Sequence, residues 1–493
     1  MLLFSNMVDP ASTPPSKSRD FTVAVLGAGD RGSIYAGFLA QSGATLAAIV
    51  DRDQQRARHL KSRLSSDALL FSNWKDLIRA IQAGSSPPAN GRAAAKAIRK
   101  PEAVVIALPD AHHLEPAIAF SRLGISVLLE KPVGLSLSQL HRLGRHVNGL
   151  RRKQNRAAIV VCHVLRYSDF FGKIKCLLQE GAIGEVRSIL HSENVSYYHF
   201  AHSYVRGNWR DSRISSPVLL AKCSHDFDLL GWFADSEFRS VASSGSLSTF
   251  LPENAPLGAT ERCTDGCPHS SRCLFDAPGT YIEGLPMKRE LARSGFNGIA
   301  LAARAALRFP ALFRSSPGLR RLWPWPYWPT STIVSGPVSK DAVLEALRTG
   351  PYGRCVYRTG SNQPDHCDTT LEFENGITAI MRLNGNSFQE ARTIRIDGTE
   401  GTLEGRFGQG GDLRLHRHGG AKTRRIPVEV DPAGHLKEDR ALCHHFAALM
   451  AALRTGQDQA LQAADRTLHQ VIQGHRMALL AEKSRTTGKT IFR

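Results

Sequence analysis

From Phe21 to about residue 162, short and mostly apolar runs alternate with longer segments whose apolar residues recur at helical spacing. Phe21–Leu26, Ala44–Val50, Ala68–Phe71, Val104–Leu108, 125–129 and 158–162 lack the polar alternation of a half-wet strand and predict strands buried on both faces. Between them, 33–42, 53–64, a stretch around 76–78, 111–123 and 135–149 predict helices, and Gly84–Asn90, with Ser85-Ser86-Pro87-Pro88 inside, predicts a loop. Strands taking turns with helices of this length predict a doubly wound parallel sheet.

After about residue 165 the rhythm changes. A helix over 169–180 leads into a long β-like run, 185–195, and 218–233 predicts a further helix. Segments 369–374, 377–383, 392–397 and 402–405 alternate apolar and polar residues, punctuated by Glu374-Asn375-Gly376 and Gly398-Thr399-Glu400-Gly401. That pattern predicts an open, largely antiparallel sheet carrying a few helices. An amphipathic helical stretch follows over 442–483. The fold class is therefore α/β, with an N-terminal Rossmann-type sheet and a C-terminal α/β domain.

The first strand runs into Gly27-Ala28-Gly29-Asp30-Arg31-Gly32, and Asp51 stands nineteen residues beyond Gly32 at the end of the second strand. In this context Gly27 permits the tight turn, Gly29 lets backbone approach a pyrophosphate, and Gly32 lets helix pack on strand. Asp51 is placed for the ribose hydroxyls and favours NAD, while Arg52 beside it leaves NADP open. Asp30 and Arg31 belong to the same cofactor turn. Pro109 and His113 follow the fourth strand, and Glu130-Lys131-Pro132 closes the apolar run Val127-Leu128-Leu129. A lysine at that strand end stands at the reactive end of a nucleotide bound along the sheet edge.

Composition narrows the class. The chain has 493 residues, 42% hydrophobic and 22% charged, with no run near the roughly eighteen apolar residues of a membrane span. Met1–Asp20, rich in Ser and Pro and without a basic-then-apolar signal pattern, predicts a disordered lead-in. Nine irregularly spaced cysteines then point to a reducing cytoplasm. The net charge of +19 is concentrated in part at Arg142–Arg156 and at Met287–Arg321, where eight basic residues face a single acid, Glu290. No nucleic-acid motif accompanies the charge, so solvated helix faces and an insertion at about 287–321 account for it. The insertion ends in Trp323-Pro324-Trp325-Pro326-Tyr327-Trp328, which reads as core packing, a cover over the active site or an interface.

Gly27–Gly32, Ile106-Ala107-Leu108-Pro109-Asp110 with His113, and Glu130-Lys131-Pro132 together resemble the Gfo/Idh/MocA oxidoreductases. The likeness extends over about 21–485 through His163-Val164-Leu165-Arg166-Tyr167, Ser203-Tyr204-Val205-Arg206-Gly207-Asn208-Trp209 and His225-Asp226-Phe227-Asp228. It implies a NAD(P)-binding Rossmann domain over 21–162 and a substrate and oligomerisation domain over 163–485. It also implies hydride transfer between nicotinamide and a carbon of a sugar, sugar acid or cyclitol, and a homo-oligomer. Under the resemblance Lys131 and His225 are the proton-handling pair, and Glu130 holds the loop. His163, Arg166, Tyr167, Arg206, Trp209 and Lys222 become substrate-pocket candidates. The chain departs from the family pattern where many members carry an aspartate four residues before the histidine: Ala221 stands there, with Lys222 beside it. Asp226 or Asp228 is then left to orient His225, and Lys222 offers a cation for an anionic substrate. A redox-neutral NAD-dependent glycosidase or lyase and a non-catalytic NAD-binding sensor are the rival readings of the same fold.

Cys263, Cys267 and Cys273 are spaced C-x3-C-x5-C in a turn-rich stretch, a thiol density suited to structural zinc or an iron–sulfur cluster. Cys355 is the first choice for a fourth ligand, with His269 and Cys367 behind it; reduced buried thiols or a disulfide are the alternatives.

Overall fold

The computed structural model describes residues 21–83, 98–293, 297–316, 328–334, 338–408, 410–429 and 436–493. The expected tail (1–20), the loop 84–90 and the aromatic run 323–327 lie outside the described residues. The described residues form two compact units: those within 21–175, Phe227–Asp235 and 436–479, and those within Cys176–Asp226, 236–429 and Leu480–Arg493.

The first unit is built on β1 (Phe21–Leu26), β2 (Ala44–Val50), β3 (Leu69–Phe71), β4 (Ala103–Ile106), β5 (Ser126–Leu129) and β6 (Ile159–Val161). They form one six-stranded, all-parallel sheet in the order β3-β2-β1-β4-β5-β6. Successive side chains leave a strand on opposite faces. Val23, Val25, Val105 and Leu128 therefore enter one core with helices Asp30–Gln41 and Leu436–Arg454. Ala24, Leu26, Val104, Ile106, Val127 and Leu129 enter the other, with helices Leu114–Arg122 and Leu137–Arg152. Both faces being dry, these strands read as continuous apolar runs.

The second unit carries β7 (Val186–Ser196), β8 (Phe238–Ser246), β9 (His366–Phe373), β10 (Thr378–Ser387), β11 (Ala391–Gly398), β12 (Gly401–Gly408), β13 (Asp412–Arg417), β14 (Arg424–Ile426) and β15 (Ile491–Phe492). Their order is β14-β13-β12-β11-β7-β10-β9-β8-β15; β7 and β10 pair in parallel and the other neighbours are antiparallel. β9 and β10 alternate buried and exposed residues, so one face of this sheet is dry and the other open.

Several boundaries differ from the sequence reading. The first helix begins at Asp30 rather than 33, with Gly29 as its N-cap. The fourth strand ends at Ile106, two residues before Leu108. The helix expected over 218–233 is two, Val218–Ala221 and Ser224–Ala234. The ladder slips between them: Lys222 N and Cys223 N both reach Val218 O, and Asp226 N donates to Cys223 O. The stretch 442–483 is likewise two helices, Leu436–Arg454 and Asp458–Thr487, divided at Gly456, whose φ of +77° ends the first.

Candidate active site

Register across the parallel sheet decides which residues share an edge. Val50, Leu26, Ile106, Leu129 and Val161 lie in one row. The residues that follow them, Asp51, Gly27, Ala107, Glu130 and Cys162, therefore leave the sheet together at its carboxyl end. There Gly27 N donates to Val50 O (2.8 Å), Ala107 N to Leu26 O (2.8 Å) and Glu130 N to Ile106 O (2.9 Å). One edge thus carries the glycine turn, Asp51, Pro109, Lys131 and His163.

The three glycines are held to different standards. Gly27 has φ +93°, and a Cβ there would fall 2.3 Å from Ala107 O. A Cβ on Gly32 would meet Gly27 O at 1.9 Å, so helix and turn touch backbone to backbone. Gly29 has nothing within 4 Å of a built Cβ. The side of the turn that a pyrophosphate would approach is open, and the other two glycines are filled from within; the residues present fit a dinucleotide. Asp51 fixes the turn by accepting from Ala28 N (2.7 Å) and Asp53 N (2.8 Å). Arg52 and Asp30 are exposed.

Arg31, assigned to the cofactor turn by the sequence, is engaged within the first unit. Its guanidinium bonds Glu130 (2.8 Å), both oxygens of Asp439 (2.5 and 2.8 Å) and the Tyr35 hydroxyl. Glu130 also accepts from Tyr35 (2.7 Å) and from the Lys131 backbone N–H (2.9 Å). Burial pushes the Glu130 carboxyl up, but the charges of Arg31 and Lys131 with these hydrogen bonds outweigh it and hold the group below its ordinary value. Glu130 therefore keeps its charge and ties the helix of the glycine turn to the strand end that presents Lys131. The Lys131–Pro132 peptide is cis, and the Lys131 side chain is half-buried. His113, buried, bridges Pro132 O (2.7 Å) and Leu108 O (2.6 Å) and so stitches the loops after β4 and β5. Val133 N donates to His475 Nε2 (3.2 Å), whose Nδ1 meets Val471 O (2.9 Å).

His163 and Arg166 converge on a carboxylate. Arg166 grips Asp228 with two bonds (2.7 and 2.8 Å), gives a third to Gln470 (2.8 Å) and lies over the Trp232 ring. His163 Nδ1 stands 3.4 Å from Asp228, and burial lowers its basicity to about 4. The Tyr167 ring is 5.3 Å from that of His445, and burial raises its hydroxyl.

In the second unit, His225 is half-buried in the first turn of helix Ser224–Ala234. Below Asp226 lies a buried charge cluster. Asp226 accepts from His191 (2.8 Å) and Arg392 (2.8 Å), and Arg392 also pairs with Glu193. Lys222 pairs with Glu390 (2.9 Å) and Glu193 (3.6 Å). Burial pulls the Lys222 ammonium down, but Glu390 and Glu193 hold it above its usual value. Its charge is thus matched by two carboxylates rather than offered singly to an anion. Asp226 bonds His191 and Arg392, and Asp228 bonds Arg166. Burial raises Glu193 to about 7, against the pull of Arg392 and Lys222.

Arg206, a substrate candidate, is buried and donates to Arg354 O (2.8 Å) and Phe275 O (2.8 Å), with Cys263 Sγ at 3.4 Å. Trp209 is half-buried, its ring 6.0 Å from that of Tyr204. Cys263, Cys267, Cys273 and Cys355 are all unbridged and line one cavity with Arg206. Among the described residues no set of three or more His, Cys, Asp or Glu already surrounds a metal position. His269 lines the same cavity, with its Nε2 on Leu257 O (2.8 Å), whereas Cys367 sits in β9 beside Ser243 Oγ (3.1 Å) and outside that lining.

Sequence reasoning missed Tyr35, Asp439, Glu193, Glu390, Arg392 and His475. Asp439 lies 408 residues from Arg31, and no local spacing announces such a partner.

A 3-2-1-4-5-6 parallel sheet with a glycine turn at its carboxyl edge defines a dinucleotide-binding Rossmann domain. Two models of the Gfo/Idh/MocA oxidoreductase family match the chain. The family's NAD-binding Rossmann model matches residues 21–159, and its C-terminal alpha/beta domain matches 175–263. The chain is similar to a Bacillus subtilis protein named YteT, at 26% identity over 32% of this chain and 35% of that one. It is also similar to inositol 2-dehydrogenase 1 of Saccharopolyspora erythraea, at 24% over 59% of this chain and 82% of that one. The chain spans about a third of the length of YteT and 62% of inositol 2-dehydrogenase 4 from the same Saccharopolyspora. In fold it is similar to an inositol dehydrogenase homolog from Azotobacter vinelandii, solved with NAD+ (TM-score 0.61, 16% identity, 97% and 98% of the two chains). Among the described residues no helix is long and apolar enough to cross a membrane.

Proposed function

We propose that the protein is a NAD(P)-dependent dehydrogenase acting on a hydroxyl carbon of a sugar, sugar acid or cyclitol, with Lys131 and His225 handling the proton. The observation that carries this reading is the shared carboxyl edge: glycine turn, Asp51 and Lys131 follow residues in one row of the sheet. The inositol 2-dehydrogenase names of two relatives support the substrate class.

A bound nicotinamide supplies the acceptor or donor of hydride. The rest falls to the chain. The Gly29 side of the turn would admit the pyrophosphate and Asp51 would hold the ribose hydroxyls; a carboxylate there would disfavour a 2′-phosphate, so NAD is the expected partner. As the carbinol C–H leaves as hydride, the hydroxyl O–H bond breaks and its electrons form the carbonyl. The Lys131 ammonium stabilises the oxygen, and the released proton passes to His225 and on to water. Glu130 keeps the lysine loop in place through its bond to the Lys131 N–H.

The test is a panel of polyols, sugars and sugar acids assayed for NADH formation beside Lys131→Met. Substrate-dependent reduction that falls by about 100- to 10,000-fold in the variant, with NAD still bound, is expected. Bound nucleotide with glycoside cleavage and no NADH would overturn it in favour of a redox-neutral lyase. Bound nucleotide with no turnover would point instead to a sensor.

A further inference from the structure

Four of the nine cysteines share one place. Cys162, Cys223, Cys367 and Cys443 are unbridged and buried in other parts of the fold. Cys263, Cys267, Cys273 and Cys355 line a cavity of about 20 Å³, room for a single ion or water. The chain brings them there by specific bonds. Cys263 N donates to Gly353 O (2.9 Å), Cys355 N donates to Glu261 O (2.9 Å), and Arg262 and Arg354 form an antiparallel bridge. These pin the first and last cysteines across from each other. Cys267 and Cys273 are then carried round by a turn closed by Cys273 N to His269 O (2.8 Å).

Two further features suit thiolates. Backbone N–H groups two residues on, at His269, Phe275 and Tyr357, are directed to the sulfurs of Cys267, Cys273 and Cys355. Such donors favour a negative sulfur, against burial, which still raises the Cys273 and Cys355 thiols and is outweighed at Cys267. Beside them sits Arg206, 2% exposed, which donates to two carbonyl oxygens, meets the Tyr281 hydroxyl, feels the charge of Asp276 and has Cys263 Sγ at 3.4 Å. A buried guanidinium against sulfur favours the thiolate over the thiol.

We infer that Cys263, Cys267, Cys273 and Cys355 bind one zinc ion in a closed four-thiolate site. Each thiol gives up its proton to solvent as its sulfur bonds the metal, and no redox change is involved. Four sulfurs fill the tetrahedron at about 2.3 Å, so the site has no open position for substrate and is structural. Side-chain rotation must bring the sulfurs onto a common point, since no three are so placed among the described residues. The ion ties the 260–275 loop to residues 354–358 and fixes Arg206 at the end of the π-helical turn Ala201–Arg206, next to Trp209. Arg206 thereby becomes a support of the pocket-side segment rather than a group that meets substrate.

The experiment is metal analysis of the full chain purified under reducing conditions, with X-ray absorption at the zinc edge. About one zinc per chain with sulfur-only ligation near 2.3 Å is expected. The metal should be lost in Cys263→Ser and in Cys355→Ser and kept in Cys176→Ser, a half-buried cysteine outside the cluster. If a serine variant fails to fold, the metal content and ligation of the unaltered chain still decide. Protein that contains no zinc and takes up none on addition, a brown iron–sulfur absorption, or zinc retained in both cluster variants would overturn the inference. The readout needs no substrate, so it stands or falls apart from the dehydrogenase reading.

Discussion

Gly29 and Gly32 stand three residues apart in one turn, and a methyl group would have opposite consequences at the two. At Gly32 it would fall 1.9 Å from a backbone oxygen that cannot move without pulling the helix off the strand. Gly32→Ala is expected to lower stability by about 1–3 kcal/mol or more, read as a fall in the thermal midpoint of the apoprotein. At Gly29 the methyl group meets nothing of the chain. Gly29→Ala should leave the melt nearly unchanged and weaken NAD, measured by titrating cofactor against intrinsic fluorescence. Equal melts with equal NAD affinity in both variants would remove the glycine turn from the cofactor site. A second residue-scale test concerns pH. Burial lowers the basicity of His163 to about 4 and of His475 to about 3. Unfolded, both protonate near 6.5. Between pH 6.5 and 4 the unfolded chain therefore binds more protons than the folded one, and stability falls as pH drops through that window. Glu193, raised to about 7, acts oppositely, because its folded form holds a proton that the unfolded form releases. The clean observable is thus a difference. In urea unfolding between pH 7 and 4.5, His475→Gln should lose less stability than the unaltered protein, since its amide replaces both ring bonds without titrating. Identical slopes would mean that His475 binds its proton equally well in the folded and unfolded chain, and that burial does not lower its basicity.

Elements explain which parts of the chain were legible. Strands β1, β4 and β5, and β2 from Ala48 on, are dry on both faces, and an apolar run is all that such a strand requires. β9 and β10, dry on one face, announce themselves by alternation. β8 ends in Ala242-Ser243-Ser244-Gly245-Ser246, and β15 is two residues at the sheet edge; neither has enough side-chain pattern to be read. The break at Gly456 depends on a positive φ and that at Lys222 on a slipped ladder, and a continuous apolar stripe hides both. The site was legible to the same extent. Residues that follow a strand end were found, whereas their partners, distant in sequence, were not. Glu290 shows this on the basic insertion. It reads as one acid among arginines, yet it is buried, accepts from Tyr198 Oη (2.8 Å) and Glu390 N (3.0 Å), and so anchors helix Leu285–Ala292. Glu290→Ala leaves that hydroxyl and that N–H without their acceptor, a cost of about 1–3 kcal/mol. The helix should then open more often, and trypsin should cut faster at Lys288, Arg289 or Arg293. Unchanged cleavage would show that the remaining contacts hold the helix without Glu290.

At the scale of the whole molecule, the +19 charge and the open sheet face raise the same question, namely what keeps such a surface in solution. Charge suppresses association through repulsion. The open face of the second unit's sheet works against that repulsion. Leu190 on β7 and Ile380 on β10 are register partners, 45% and 40% exposed, so two large aliphatic side chains sit side by side in water. Charges around them are largely paired within the sheet: Arg382 with Asp368, and Arg395 with Asp397. A surface whose charges are already neutralised pairwise and whose centre is aliphatic loses little on burial and gains about 25 cal/mol for each Å² of apolar area removed from water. We therefore expect this face to join copies of the chain. Light scattering behind size exclusion should give a mass above the 54.0 kDa of one chain. The pair Leu190→Glu and Ile380→Glu places two like charges on neighbouring strands, which any self-complementary contact would have to bury. That double variant should run as a monomer with an unchanged circular dichroism spectrum and normal NAD binding. An oligomer that survives both charges would place the contact elsewhere, and a monomeric starting protein would leave the face open in solution.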